Sequence, residues 1–136
     1  MKVNTYLHFN GNCADALKFY EQVLDAKVVM SQTFGDSPAA EHSPPEMKSR
    51  IIHARIQIGD ALVMASDTPP ERYSPPAGVS MTVNVPSIEE AEKRFAALSE
   101  GGQVQMPLTE SFFAHRFGML VDKFGVPWMV ICEKTP

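Results

Sequence analysis

At 136 residues, with 44% apolar and 21% charged side chains, the chain suits one ordinary globular domain or two small halves sharing a core, and its composition excludes a disordered or fibrous protein. Twelve basic against 16 acidic residues give a formal charge of -4 with no local stripe of Lys and Arg, which argues against nucleic acid as a partner. No apolar run reaches bilayer length, MKVNTYLHF reads as a strand and not as a leader, and Cys13 and Cys132 stand outside any CxxC pair, so the expectation is a cytoplasmic protein with reduced thiols and no membrane attachment.

In chain order, NTYLHFNGN predicts a short strand stopped by Asn10-Gly11-Asn12, residues that tolerate positive φ. A helix follows in NCADALKFYEQVLDA, where Cys13, Ala16, Leu17, Tyr20, Val23 and Leu24 recur at spacings of three and four and Asn12 is placed to cap the first turn. KVVMSQTFG reads as a strand, and DSPAAEHSPPEM as a Pro-rich, aperiodic, mobile loop. SRIIHARIQIGDALVMASD predicts two alternating strands joined tightly at Gly59-Asp60. After a second Pro-rich segment, TPPERYSPPAG, come a strand in GVSMTVNVP, a helix in SIEEAEKRFAALSEGG, and strands in QVQMPLTESFF, RFGMLVDKFG and VPWMVICE. The charges of the second helix read as its wet face, with Glu89 and Lys93 an i,i+4 pair.

The order of elements is written twice. Setting Thr5 on Ser80 aligns Asn12 with Ser87, Asp15 with Glu90, Ala16 with Ala91, Lys18 with Lys93 and Tyr20 with Phe95. At another offset, HARIQIGDALVM lies over GMLVDKFGVPWM and brings Met64 onto Met129. The chain therefore reads as one domain of two β-α-β-β-β repeats, about 1–68 and 78–136, joined by a Pro-rich linker. A single repeat has too little buried area to stand alone, so the sheets must combine or pair with another copy, and a pocket between curved sheets is the expected ligand site.

The stretches YLHFNGNCADALKFY and AEKRFAALSEGGQVQMPLTESFFAHRFGMLVDKFGVPWMV, in this order, resemble the PhnB-like branch of the glyoxalase/bleomycin-resistance/dioxygenase (vicinal oxygen chelate) superfamily, some of whose members carry the label 3-demethylubiquinone-9 3-methyltransferase. The resemblance spans almost the whole chain. It implies an α+β fold of two βαβββ modules forming curved mixed sheets with helices on the outer face, homodimers, and a small-molecule cavity in each sheet. No strand runs into a GxGxxG-type loop that would hold a methyl-donor cofactor. The superfamily's enzymes hold a divalent metal with His or Gln on the first strand and Glu on the last strand of each module. A gapless placement puts those slots at Thr5, Ser80, Met64 and Met129, none a good ligand for Zn²⁺, Ni²⁺, Mn²⁺ or Fe²⁺, so no cofactor is expected.

A one-residue slip reverses every side chain's face. With Leu7 and Phe9 toward the helix, Tyr6 and His8 turn to the cavity, and the alternation of IIHARIQI sends His53, Arg55 and Gln57 the same way. His8 and His53 would then bind a ligand, act as a general base, or hold a divalent metal with Glu110. The rival reading leaves both as partly exposed strand residues. Phe112, Phe113, His115 and Arg116 gather aromatic and basic groups without helical period, which suits either a pocket rim for a small anionic or planar ligand or ordinary packing. Cys13, beside a helix start, is either an activated thiol or a small helix residue, and the eight methionines either fill the core or make a soft pocket wall. Trp128, the only tryptophan, is a core anchor in the gapless register and a cavity wall in the slipped one. The leading functional expectation is a small-molecule-binding protein that has lost the metal tetrad. The alternatives are a metal-dependent lyase or dioxygenase built on His8, His53 and Glu110, and a non-catalytic drug-sequestering protein.

Overall fold

In the computed structural model, which describes residues 1–134, the chain forms two compact units that divide between Ser74 and Pro75. The first runs β1 (Tyr6–Phe9), α1 (Cys13–Leu24), β2 (Lys27–Thr33), β3 (Ile51–Ile58) and β4 (Ala61–Asp67). The second runs β5 (Met81–Asn84), α2 (Ile88–Ser99), β6 (Gln103–Thr109), β7 (Ala114–Val121) and β8 (Pro127–Glu133). Their sheets have the same topology, β1-β4-β3-β2 and β5-β8-β7-β6, each with one parallel pair (β1 with β4, β5 with β8) and antiparallel neighbours beyond it. This is the α+β, twice-written βαβββ architecture expected from the sequence.

In the first unit, the apolar stripe of α1 (Ala16, Leu17, Tyr20) is buried together with Leu7 and Phe9 of β1, Ala54 and Ile56 of β3, and Val63 and Ala65 of β4. The registers Leu7↔Ala65 and Ala54↔Ala65 place these strand residues on one face, so strand alternation gives the opposite face to Tyr6, His8, Arg55 and Met64. In the second unit α2 buries Ala91, Phe95 and Leu98 against the face carrying Leu120, Trp128 and Val130. Gly118 makes that approach possible: a Cβ there would meet the Phe95 ring at 2.7 Å and the Leu108 backbone at 3.0 Å.

Two buried carboxylates tie up backbone, one in each unit. Asp67, ending β4, accepts the Cys13 N–H (3.0 Å) and the Ile51 N–H (2.9 Å). Asp122 accepts the Phe124 and Val126 N–H groups (2.9 and 3.0 Å) and the Trp128 indole N–H (2.8 Å). The expected equivalence of the helix caps does not hold. Ser87 caps α2 by accepting the Glu90 N–H at 3.1 Å, whereas the Asn12 side chain makes no cap bond and Asp67 takes the Cys13 N–H at the start of α1.

The first Pro-rich stretch, expected to be a mobile loop, is closed on itself. Phe34 N–H donates to Arg50 C=O and Gly35 N–H to Lys48 C=O, both at 2.9 Å, enclosing short 3₁₀ turns at Ala40–His42 and Pro45–Met47. Met47 is its anchor at 4% exposure.

Candidate functional site

The uncovered face of the first sheet is a grid whose rows follow from register. One row reads Met30, Arg55, Met64, Tyr6 across β2, β3, β4 and β1. The adjacent row reads Gln32, His53, Ser66, His8; the pairings Gln32↔His53 and His8↔Ser66 are direct, and the antiparallel β3–β4 register sets His53 opposite Ser66. Three rings cluster here: Tyr6 stacks on His8 with centroids 4.8 Å apart and planes 29° apart, and lies 5.8 Å and 32° from His53. Tyr6 Oη and His53 Nδ1 share a hydrogen bond at 3.2 Å, and Thr68 Oγ1 and His8 Nδ1 another at 3.3 Å. Among the described residues the Nε2 atoms of both imidazoles and the Arg55 guanidinium have no hydrogen-bond or ionic partner.

The equivalent face of the second sheet has different chemistry. Its central row is Met106, Met119, Met129, Thr82, and the next is Thr109, Phe117, Ile131, Asn84. Asn84 donates to Glu133 at 2.6 Å. A cavity of about 680 Å³ lies on this face between the Pro75–Ser80 segment and Gln105, Met119, Val121, Pro127 and Met129. Its lining is thioether and aliphatic, with the Ser80 hydroxyl and the Gln105 amide as polar groups.

The structure brings His8, His53 and Arg55 together on one face. It turns β1 by one residue from the gapless placement, because Leu7 and Phe9 go to the helix side: Tyr6, not Thr5, lies beside Met64. The last-strand positions do not slip, and Trp128 remains on the covered face of β8 at 2% exposure, which removes it from the ligand-facing set. Glu110 belongs to the second unit, where it pairs with the Lys134 ammonium at 3.2 Å. Phe113 packs edge-on between Phe112 and Phe117, with centroids 5.2 Å from each, and Phe112 is 92% exposed. His115 is half-buried, and its carbonyl takes a bond from Arg116 at 2.7 Å. Arg116 itself is turned toward α2, its Nε 3.4 Å from Glu92, because strand alternation puts it on the covered face with Gly118 and Leu120. Burial, reinforced by the Asp67 charge, pushes the Cys13 thiol up to about 12, so it is the inert helix residue and not an activated nucleophile.

Ser66, Thr68, Met30 and Gln32 join Tyr6 and the other sequence candidates on the first face. Tyr6 follows from alternation with Leu7 and Phe9. Met30 and Gln32 were hidden by a bulge after Val28, which no residue pattern announces.

A divalent cation would find poor ligands at the paired first- and last-strand positions. These are Tyr6 with Met64 and Thr82 with Met129, a phenol, an alcohol and two thioethers where a hard or borderline ion needs carboxylate or imidazole. Among the described residues no three His, Cys, Asp or Glu side chains come together in a cation-sized cluster. The residues present do not fit the group that the superfamily's enzymes carry.

Comparison with known proteins agrees with the fold. The family model described as 3-demethylubiquinone-9 3-methyltransferase matches residues 1–131. Protein YjdN of Escherichia coli is 35% identical, with 96% of this chain and 94% of that protein covered. The crystal structure of PA1353 from Pseudomonas aeruginosa superposes with TM-score 0.89 at 46% identity over 99% of each chain. The PhnB protein from Bacillus cereus gives TM-score 0.83 at 26% identity, covering 97% of this chain and 99% of its own. At the level of fold alone, a glyoxylase/bleomycin resistance protein/dioxygenase domain from Frankia gives 0.70 at 13% identity over 98% of each chain.

Proposed function

The chain belongs to the 3-demethylubiquinone-9 3-methyltransferase family, the PhnB-like branch of the glyoxalase/bleomycin-resistance fold, and from that premise we propose that it binds a small organic molecule on the open faces of its sheets without the superfamily's metal tetrad. The observation that carries this reading is the pairing of Tyr6 with Met64 and of Thr82 with Met129 where the metal ligands would stand. The faces remain built for ligands. One offers two imidazole Nε2 atoms and a guanidinium group without partners among the described residues, the other a cavity of about 680 Å³, inside the size range of small-molecule sites. The family's name carries no methyl-transfer activity to this chain, because fold and family do not determine chemistry.

We read the protein as cytoplasmic and homodimeric. Both cysteines are free and buried, which suits a reducing compartment. The sheet-edge strands β2 and β6 expose Val29 and Val104, apolar groups that association would cover.

Metal analysis of untagged protein after incubation with Zn²⁺, Ni²⁺, Mn²⁺ and Fe²⁺ and dialysis tests the loss of the tetrad, together with a thermal-shift screen of small molecules run with and without EDTA. The expected result is metal far below one equivalent and ligand-induced stabilisation that survives EDTA. Near-stoichiometric metal that is lost in His8→Ala or His53→Ala would overturn it in favour of a metal-dependent lyase or dioxygenase with a shifted site. Tight binding without turnover would assign a sequestering role.

A further inference from the structure

Resting on the reading that the open faces are the ligand side, we infer that the first sheet's face selects a planar organic anion, an aromatic or conjugated carboxylate, with Arg55 as its charge partner and Tyr6 as its stacking partner. The chain is acidic overall, at -4, yet this face is not. Its strand positions are Tyr6 and His8 on β1, Leu62, Met64 and Ser66 on β4, His53, Arg55 and Gln57 on β3, and Lys27, Met30 and Gln32 on β2. Two permanent cations and two imidazoles stand there, and no carboxylate does. The Asp67 carboxylate at the end of β4 points to the other side, where it holds the Cys13 and Ile51 N–H groups, and Glu21 of α1 accepts the Val28 N–H. An anion arriving on this face meets cations and no acid among its strand positions, while Asp36, in the loop after β2, meets Gln32 through its backbone carbonyl at 3.1 Å.

Planarity follows from the rings. Tyr6 lies within about 30° of parallel to both His8 and His53, and Tyr6 is 36% exposed, so a flat surface is presented to solvent. Arg55 lies two residues along β3 from His53, roughly 7 Å by strand rise, which is comparable to the distance from the middle of an aromatic ring to a carboxylate oxygen at its edge plus one hydrogen bond of about 2.9 Å to the guanidinium. Met30 and Met64 flank Arg55 in its row and limit its fan of positions, while leaving the planar fork free for a bidentate carboxylate. The second sheet's face offers no equivalent: its corresponding row is Met106, Met119, Met129 and Thr82.

The test is a calorimetric and ¹H–¹⁵N NMR titration of the full chain with benzoate, its neutral isostere benzamide, benzylammonium, and acetate. Benzoate is expected to bind best, with shifts centred on β1, β3 and β4. Arg55→Gln should weaken benzoate by about tenfold or more, as loss of a charge-assisted pair implies, and change benzamide little. Tyr6→Leu should weaken benzoate and benzamide together. Lys18→Gln, an equal charge change on the exposed side of α1, should leave benzoate binding unaltered. Benzylammonium or benzamide binding as tightly as benzoate, or an unchanged affinity in Arg55→Gln, would overturn the anion assignment and leave small-molecule binding standing. Silence from all four probes in protein that other compounds stabilise in the EDTA screen would overturn it as well.

Discussion

At the scale of single residues, the buried carboxylate of Asp67 determines how its neighbours behave. It accepts the Cys13 N–H, and its charge adds to burial in raising that thiol to about 12 from the ordinary 9.0. The folded state therefore holds a proton that the unfolded chain releases near pH 9. The resulting contribution to stability is complete below that pH and is lost as pH rises from about 9 toward 12. Iodoacetamide at pH 8 should leave Cys13 unmodified in native protein and label it rapidly in denaturant. Labelling in the native state at the rate of a free thiol would show that the site opens. His8 and His53 were readable from sequence because they alternate with obligatory core residues, Leu7 with Phe9 and Ala54 with Ile56. Trp128 follows the same logic, since Val130 and Cys132 share its face. The service of Asp67 to α1 was not readable, because 54 residues separate it from the N–H it accepts and local spacing favoured Asn12.

At the scale of elements, the two helices begin alike in sequence and differently in physics. Ser87 has extended backbone and its hydroxyl accepts the Glu90 N–H, so it is a working cap. Asn12 makes no such bond. Ser87→Ala should cost about 1 kcal/mol in urea unfolding, whereas Asn12→Ala should fall within a few tenths, with the slope against urea unchanged in both. Equal losses would mean that Asn12 stabilises the start of α1 as much as Ser87 does that of α2. Strands and helices were legible because period 2 and period 3.6 were both clean. The ladder irregularities at Val28/Met30 and Ala114/Arg116 were not, since a bulge depends on what the neighbouring strand presents. The first matters for the site, because it brings Met30 beside Arg55.

At the scale of the whole molecule, the repeat retains its topology and has changed its side chains. The parallel registers Tyr6↔Met64 and Thr82↔Met129 occupy equivalent places, yet one face collects imidazoles and Arg55 and the other thioethers. Backbone pairing is indifferent to which residue faces outward, so the scaffold tolerates such divergence while the covered faces, with Gly118 against Phe95 and Val63 with Ala65 beside α1, remain constrained by packing. If side chains and not backbone make these positions poor metal ligands, ligands can be put in. Thr82→His with Met129→Glu places an imidazole and a carboxylate on Cα partners of adjacent strands, roughly 5 Å apart, close enough to share one ion. That double variant should bind Ni²⁺ or Zn²⁺ measurably by calorimetry and melt higher when metal is added, while the parent shows neither effect. A correctly folded double variant with no gain in metal affinity would place the cause in the backbone of β5 and β8, and the ligand chemistry of the family would then have to be sought in the strand geometry as well as in the residues it displays.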